Sequence, residues 1–337
     1  MPSHGGEMMN RKVNSFVGVV VLLSLLSLLS AYAKQHPGDS PVFKDRPAQV
    51  MPGAVKAMML GATMAGQRIV AVGVHGVVLL SDDQGKTFRQ AKAVPTRLTL
   101  NSVTFVDNKE GWAVGHLGVV LHTVDSGETW TIQREDLNSD RPLFTVWFKD
   151  SKHGFAAGLW GLLLKTTNGG NSWDVVKLPI AAGATKGDKN LYAVFADKKG
   201  GLFIAAERGT VFKSTDDGQT WKVIDTGYPA TLWTGVALRN GSLVVGGLRG
   251  RILCSEDGGE HWKEMDAGTK SSITDITESS DGRIFAVGLD GVSLQSTDEC
   301  RSLSISSRPD RVALTAVVLN SKGVPVIFSA AGPANVK

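Results

Sequence analysis

Glu207 and Arg208 stand side by side, with Tyr192 upstream and Tyr228 downstream. These residue types belong to one form of glycoside hydrolysis. It needs an arginine cluster for a substrate carboxylate, a tyrosine nucleophile backed by a glutamate, and a second acid as proton donor. The spacing leaves that set incomplete. Tyr192 falls in a strand pattern and Tyr228 in a connection, and no second carboxylate can be matched to Glu207. The Arg-Ile-Pro sequence of such enzymes is absent, and Asp45-Arg46-Pro47 does not replace it. Hydrolysis of a glycan, or carbohydrate binding without catalysis, is therefore the alternative reading. His75 and His116 would hold a metal only by converging, and a closed site needs about four ligands. No metal and no cofactor is expected.

A second set of polar residues is periodic. Asp83, Asp125, Asn168, Asp216, Asp257 and Asp298 each occupy the third position of an octamer. The octamers are SDDQGKTF, TVDSGETW, TTNGGNSW, STDDGQTW, SEDGGEHW and STDECRSL. They begin at 81, 123, 166, 214, 255 and 296, so the intervals are 42, 43, 48, 41 and 41 residues. Such a period marks a repeat architecture. The phrase is the Asp-box of β-propellers, also called the bacterial neuraminidase repeat. Its carboxylate can accept turn amides, and its glycine supplies a positive φ. The closing Trp130, Trp173, Trp221 or Trp262 (Phe88 in the first copy) brings apolar area to pack between blades. These residues read as structural, not catalytic.

The same grammar surrounds every box. An alternating strand comes first, as at Leu143–Phe148 and Leu191–Ala196. A polar turn, a second strand, a two-residue turn, a third strand, the box and a fourth strand follow. Short strands at this regularity imply propeller blades. The first inner strand is expected near Val55, and the seventh unit at Leu314–Val318 and Val324–Phe328. That unit lacks a box, so Pro41–Val50 is expected to supply its outer strand. The expected fold is all-β, a seven-bladed propeller closed by an N-terminal strand.

Bulk properties narrow the function further. The chain has 337 residues, 42% apolar, with a net charge of +4. Removing residues 1–33 takes away Arg11, Lys12 and Glu7, leaving 4 − 2 + 1 = +3, with no dense basic run. A nucleic-acid partner is not expected on that charge. Arg11 and Lys12 precede an apolar stretch from Phe16 to Ala33 that ends in Ala31-Tyr32-Ala33. That is the pattern of a signal peptide, with residues 34–337 forming one propeller in the periplasm. An uncleaved membrane anchor is the other reading of the stretch. Cys254 and Cys300 fall in adjacent blades at non-equivalent places, and export would permit a disulfide.

In a four-stranded blade the boxes share one face with the turns between strands one and two. Turns between strands two and three, and the crossings between blades, share the other. Partners of propellers use this second face, where loops vary freely. It carries His75, His116, Trp160, Arg208, Arg249 and Arg251. Trp and Arg are the residues of interaction hot spots. The longest crossing, from Trp173 to Leu191, is expected to form a lobe around Ala181–Asn190.

The run Gly111-Trp112-Ala113-Val114-Gly115-His116-Leu117-Gly118, followed by Leu121-His122-Thr123, has a parallel in His153-Gly154-Phe155-Ala156-Ala157-Gly158. On these residues and the repeat, the chain from about Pro41 onward resembles the photosystem II stability/assembly factor family. The resemblance implies a non-enzymatic chaperone for assembly of a membrane complex. Related proteins in other bacteria accompany transporters of the resistance–nodulation–division type. The leader has neither a cysteine after its apolar run nor twin arginines, which points to a periplasmic protein of a heterotroph. The expected partner is a membrane protein complex or transporter, met by a monomer.

Overall fold

The computed structural model describes residues 45–180, 185–299 and 301–334. Seven antiparallel sheets follow one another in chain order, six with four strands and the last with three. Their innermost strands are Met59–Ala65, Leu100–Phe105, Leu143–Phe148, Leu191–Ala196, Leu232–Ala237, Ile273–Glu278 and Leu314–Leu319. Blades one to seven are numbered from these. The expected seven-bladed all-β propeller is thus the observed one. Within the described residues no helix is long and apolar enough to cross a membrane.

The second strands explain why the sequence reads as it does. Gly111–Gly115, Gly154–Gly158, Leu202–Ala206, Leu243–Gly247 and Ile284–Gly288 are buried at every position. Each lies inside a blade that is itself covered by a blade on either side. Both faces are therefore apolar, and strict alternation is lost. The small residue that ends these strands has a steric cause. A Cβ on Gly158 would stand 2.0 Å from the Pro142 carbonyl oxygen, where the chain enters the same blade.

Core clusters form between blades, five of them joined by the aromatic of a box. Trp130 packs with Val70 and Leu80 of blade one. Trp173 meets Phe148 edge-on at 5.8 Å, and Trp221 meets Phe155 edge-on at 6.0 Å. Phe88 meets Phe328 of blade seven edge-on at 5.5 Å, so packing joins the first blade to the last. In the sixth box Leu303 takes the aromatic's place and, like Cys254, packs against the core cluster of blades five and six. Cys254 is disulfide-bonded, and the sequence's other cysteine, Cys300, lies outside the described residues.

A second set of links runs between inner strands. Ser102 Oγ accepts the Val146 N–H at 3.4 Å, and Thr145 Oγ1 accepts the Val194 N–H at 3.2 Å. At the equivalent place in blade six, Asp275 Oδ2 accepts the Val317 N–H of blade seven at 2.8 Å.

The N-terminal expectation needs correction. Val55 lies in a single 3-10 turn, Ala54–Lys56, and the first inner strand begins at Met59. Residues 45–50 form no strand. They run beside the crossing from blade one to blade two instead. The Ala48 N–H donates to the Val94 carbonyl at 2.9 Å, and the Arg97 N–H to Asp45 Oδ1 at 3.1 Å. Residues 41–44 of the expected outer strand, and the expected signal peptide, lie outside the described residues. Blade seven consists of Leu314–Leu319, Pro325–Ser329 and Gly332–Ala334 among the described residues. Beside it runs a groove of about 660 Å³ lined by Ser293, Ser306, Leu314, Ile327 and Pro333.

Candidate docking face

The box carboxylates are committed to their turns. Asp216 Oδ1 accepts the Thr220 and Gln219 N–H groups at 2.9 and 3.0 Å, and Oδ2 accepts the Thr220 hydroxyl at 2.6 Å. Asp83, Asp125 and Asp257 repeat the pattern, and Asn168 Oδ1 accepts the Ser172 N–H at 3.0 Å. The sixth box keeps it as well, because Asp298 Oδ1 accepts the Ser302 N–H at 2.9 Å. Its decay therefore touches the glycine and the aromatic, not the brace. The Thr220 hydroxyl and N–H hold Asp216 down at about 2, and the Thr87 groups do the same for Asp83. Stabilised carboxylates of this kind are poor proton donors or bases near neutral pH.

The opposite face is built on strained turns. His75, Leu117, Trp160, Arg208, Arg249 and Asp290 have φ of 57, 52, 53, 56, 62 and 57°. Each is followed by a glycine that also has positive φ, as in Gly161 at 69°. Two consecutive left-handed residues make a type I′ turn, the connection that matches strand twist. A non-glycine residue there costs about 1 kcal/mol or more. The fold thus sets side chains of five types at six equivalent places; five are exposed, and Leu117 packs on the core cluster of blades one and two.

These tips differ in what their side chains do. Trp160 is 60% exposed, so it does not pack on the neighbouring blade. Its N–H donates to Asn190 Oδ1 at 2.8 Å. Among the described residues, neither Arg208 nor Arg249 pairs with a carboxylate, whereas Asp290 is matched by Arg311 at 3.2 Å. Arg251 is not a free rim group. It pairs with Glu264, and its guanidinium lies 5.4 Å from the centroid of the Tyr228 ring. His75 is an exposed tip, but His116 precedes its tip, Leu117, so the two histidines are not equivalent. Among the described residues no three potential metal ligands converge. Of the lobe expected at Ala181–Asn190, residues 185–190 are described and carry no regular structure. The lobe's Gly187 carbonyl lies against the Trp160 turn, 2.5 Å from where a Gly161 Cβ would be.

The hydrolase set does not assemble. Asn190 Nδ2 contacts the Tyr192 hydroxyl at 3.5 Å and donates to Glu207 Oε1 at 2.8 Å, standing between the two. Burial, with a smaller push from Glu207, raises the Tyr192 phenol. An activated nucleophile requires the reverse. The Tyr228 hydroxyl donates to the Leu248 carbonyl at 3.3 Å.

One feature of this face escaped the sequence reading. All seven inner strands have a register break after their first residue. The extra residues are Leu60, Asn101, Phe144, Tyr192, Trp233, Thr274 and Thr315. They lie where the inner strand meets the rim turn of its own blade, as the Leu159 N–H bond to the Pro142 carbonyl shows. Phe144 and Tyr192 stack across blades three and four, 5.2 Å between centroids and 6° between planes. Aligning the seven inner strands by their first apolar residue would have found this ring.

Fold and boxes together define an Asp-box β-propeller with one braced face and one face of presented side chains. A model of the family described as Photosynthesis system II assembly factor YCF48 matches residues 67–142, 90–227 and 132–297, so the chain belongs to that family. Trp112, in the run that suggested the resemblance, is fully buried and stacks on Phe148 at 3.6 Å. Among solved structures, the chain is similar to a YCF48 bound to a D1 peptide. There the TM-score is 0.68 at 17% identity, over 89% of this chain and 98% of that one. It is similar to YCF48 from Cyanidioschyzon merolae, with a TM-score of 0.65 at 16% identity over 86% and 97%. A streptogramin B lyase matches at a TM-score of 0.70 and 10% identity, over 87% and 98%. At such identities the likeness is one of fold. No curated protein matches the chain.

Proposed function

We propose that this chain is a non-catalytic, exported propeller that docks onto a polypeptide of a membrane protein complex and assists its assembly. The observation that supports this reading is the set of exposed side chains on left-handed turns, with Trp160 exposed and, among the described residues, no carboxylate paired with Arg208 or Arg249. Backbone strain kept at exposed side chains such as His75, Trp160, Arg208 and Arg249 is a mark of functional positions. Family membership supports the same direction, since a YCF48 has been captured with a D1 peptide. The leader at Phe16–Ala33 would place the protein in the periplasm, where a membrane complex or a resistance–nodulation–division transporter is within reach.

The test is capture from detergent-solubilised membranes with tagged full-length protein, read by mass spectrometry. The parent should retain a defined membrane subunit, and the double variant Arg208→Glu, Arg249→Glu should lose it while melting like the parent. Aryl glycosides and sialosides should show no turnover above a mock preparation. Hydrolysis that disappears in Tyr228→Phe would favour an enzyme instead.

A further inference from the structure

We infer that the docking face has one working arc, blades three to five, whose ligand is an extended acidic peptide segment with aromatic side chains. This deepens the docking reading above and rests on it. In a repeat fold equivalent positions are structurally interchangeable, so an uneven distribution of residue types among them needs a cause. At the bulged position blades three, four and five carry Phe144, Tyr192 and Trp233 in succession. At the rim tip the same three blades carry Trp160, Arg208 and Arg249.

The other blades use these positions differently. Asn101 Nδ2 donates to the Leu143 carbonyl and Thr274 Oγ1 to the Leu314 carbonyl, each at 2.8 Å, so these positions present no ring and have their polar groups satisfied. The Asp290 tip is neutralised by Arg311. Among the described residues, the rim-tip arginines with no carboxylate partner, Arg208 and Arg249, thus stand on blades that also carry the aromatic rings. Lys189 stands nearby among Glu207, Asp225 and Asp188; burial, and then the charge of Arg208, lower its pKa against the pull of those carboxylates.

That combination selects a ligand. Anionic side chains complement Arg208 and Arg249, and flat rings complement Phe144, Tyr192 and Trp233. An extended segment points alternate side chains to opposite sides. Its rings can then face the inner strands while its carboxylates face the tips.

Three fluorescein-labelled, C-terminally amidated peptides test the inference by anisotropy against the full-length protein. One alternates Glu and Phe over five residues (Glu-Phe-Glu-Phe-Glu), one replaces Glu by Lys, and one replaces Phe by Ser. The first should bind at least about tenfold tighter than the others, a difference of about 1.4 kcal/mol. It should weaken as salt screens the charges. Trp160→Ser and the pair Arg208→Glu, Arg249→Glu should each weaken it about tenfold, while His75→Ser on blade one should not. Equal binding of the three peptides, or a loss with His75→Ser alone, overturns the arc. No binding of the first peptide while membrane capture persists overturns the assigned ligand and leaves the docking reading standing. Failure of membrane capture by the parent overturns both.

Discussion

The Trp160 N–H donates to Asn190 Oδ1 at 2.8 Å, joining the rim tip of blade three to the entry of blade four. The bond holds an exposed indole on a left-handed turn that a glycine would occupy at lower cost.

Trp160→Gly should therefore raise the melting temperature, by relief of about 1 kcal/mol of backbone strain. The same variant should dock more weakly. Thermal unfolding in parallel with capture checks both. A lower melting temperature would mean that the indole packs more than its exposure indicates.

Acid should unfold the protein through its boxes. The native carboxyls of Asp83 and Asp216 sit at about 2, and those of Asp257 and Asp298 are also lowered, all mainly by bonds from the turn. A folded-state value below the unfolded one gives stability that is present above about pH 4 and lost as pH falls towards 2. Asp216→Asn, which imitates the natural Asn168, should flatten this dependence. An acid-unfolding midpoint that does not move in that variant would contradict the bracing account.

Asp275 should act with the opposite sign. Burial pushes its carboxyl up to about 6, against bonds from the Val317 and Ile276 N–H groups. The folded state then binds the proton more tightly than the unfolded chain, so this group's contribution declines as pH rises from about 4 through 6. Asp275→Asn keeps an acceptor for Val317 and removes the charge. It should raise the melting temperature more at pH 8 than at pH 5. Equal changes at both values would show that the carboxylate is not strained by its site.

Much of this was legible in the sequence because it depends on local chemistry. The brace at Asp216 needs only residues 214–220, and the buried Gly154–Gly158 strand announces itself as a short apolar run. The N-terminal segment was not legible in the same way. What fixes residues 45–50 is a partner far along the chain, Val94 for Ala48 and Arg97 for Asp45. For the site, the tips at Trp160, Arg208 and Arg249 followed from counting strands. Phe144 and Trp233 did not, since a bulge shifts the register by one and is invisible in an apolar run. The engagement of Arg251 by Glu264 likewise depends on how the blade-five hairpin folds back.

The most direct test of the docking account is site-specific photo-crosslinking in intact membranes. A photoreactive benzoylphenylalanine would replace Trp160 on the rim or Lys86 on the box face, where residues serve the turn. The account predicts one dominant adduct to an integral membrane subunit from position 160 and none from position 86. Adducts from position 86 alone would place the interface on the opposite face and contradict it.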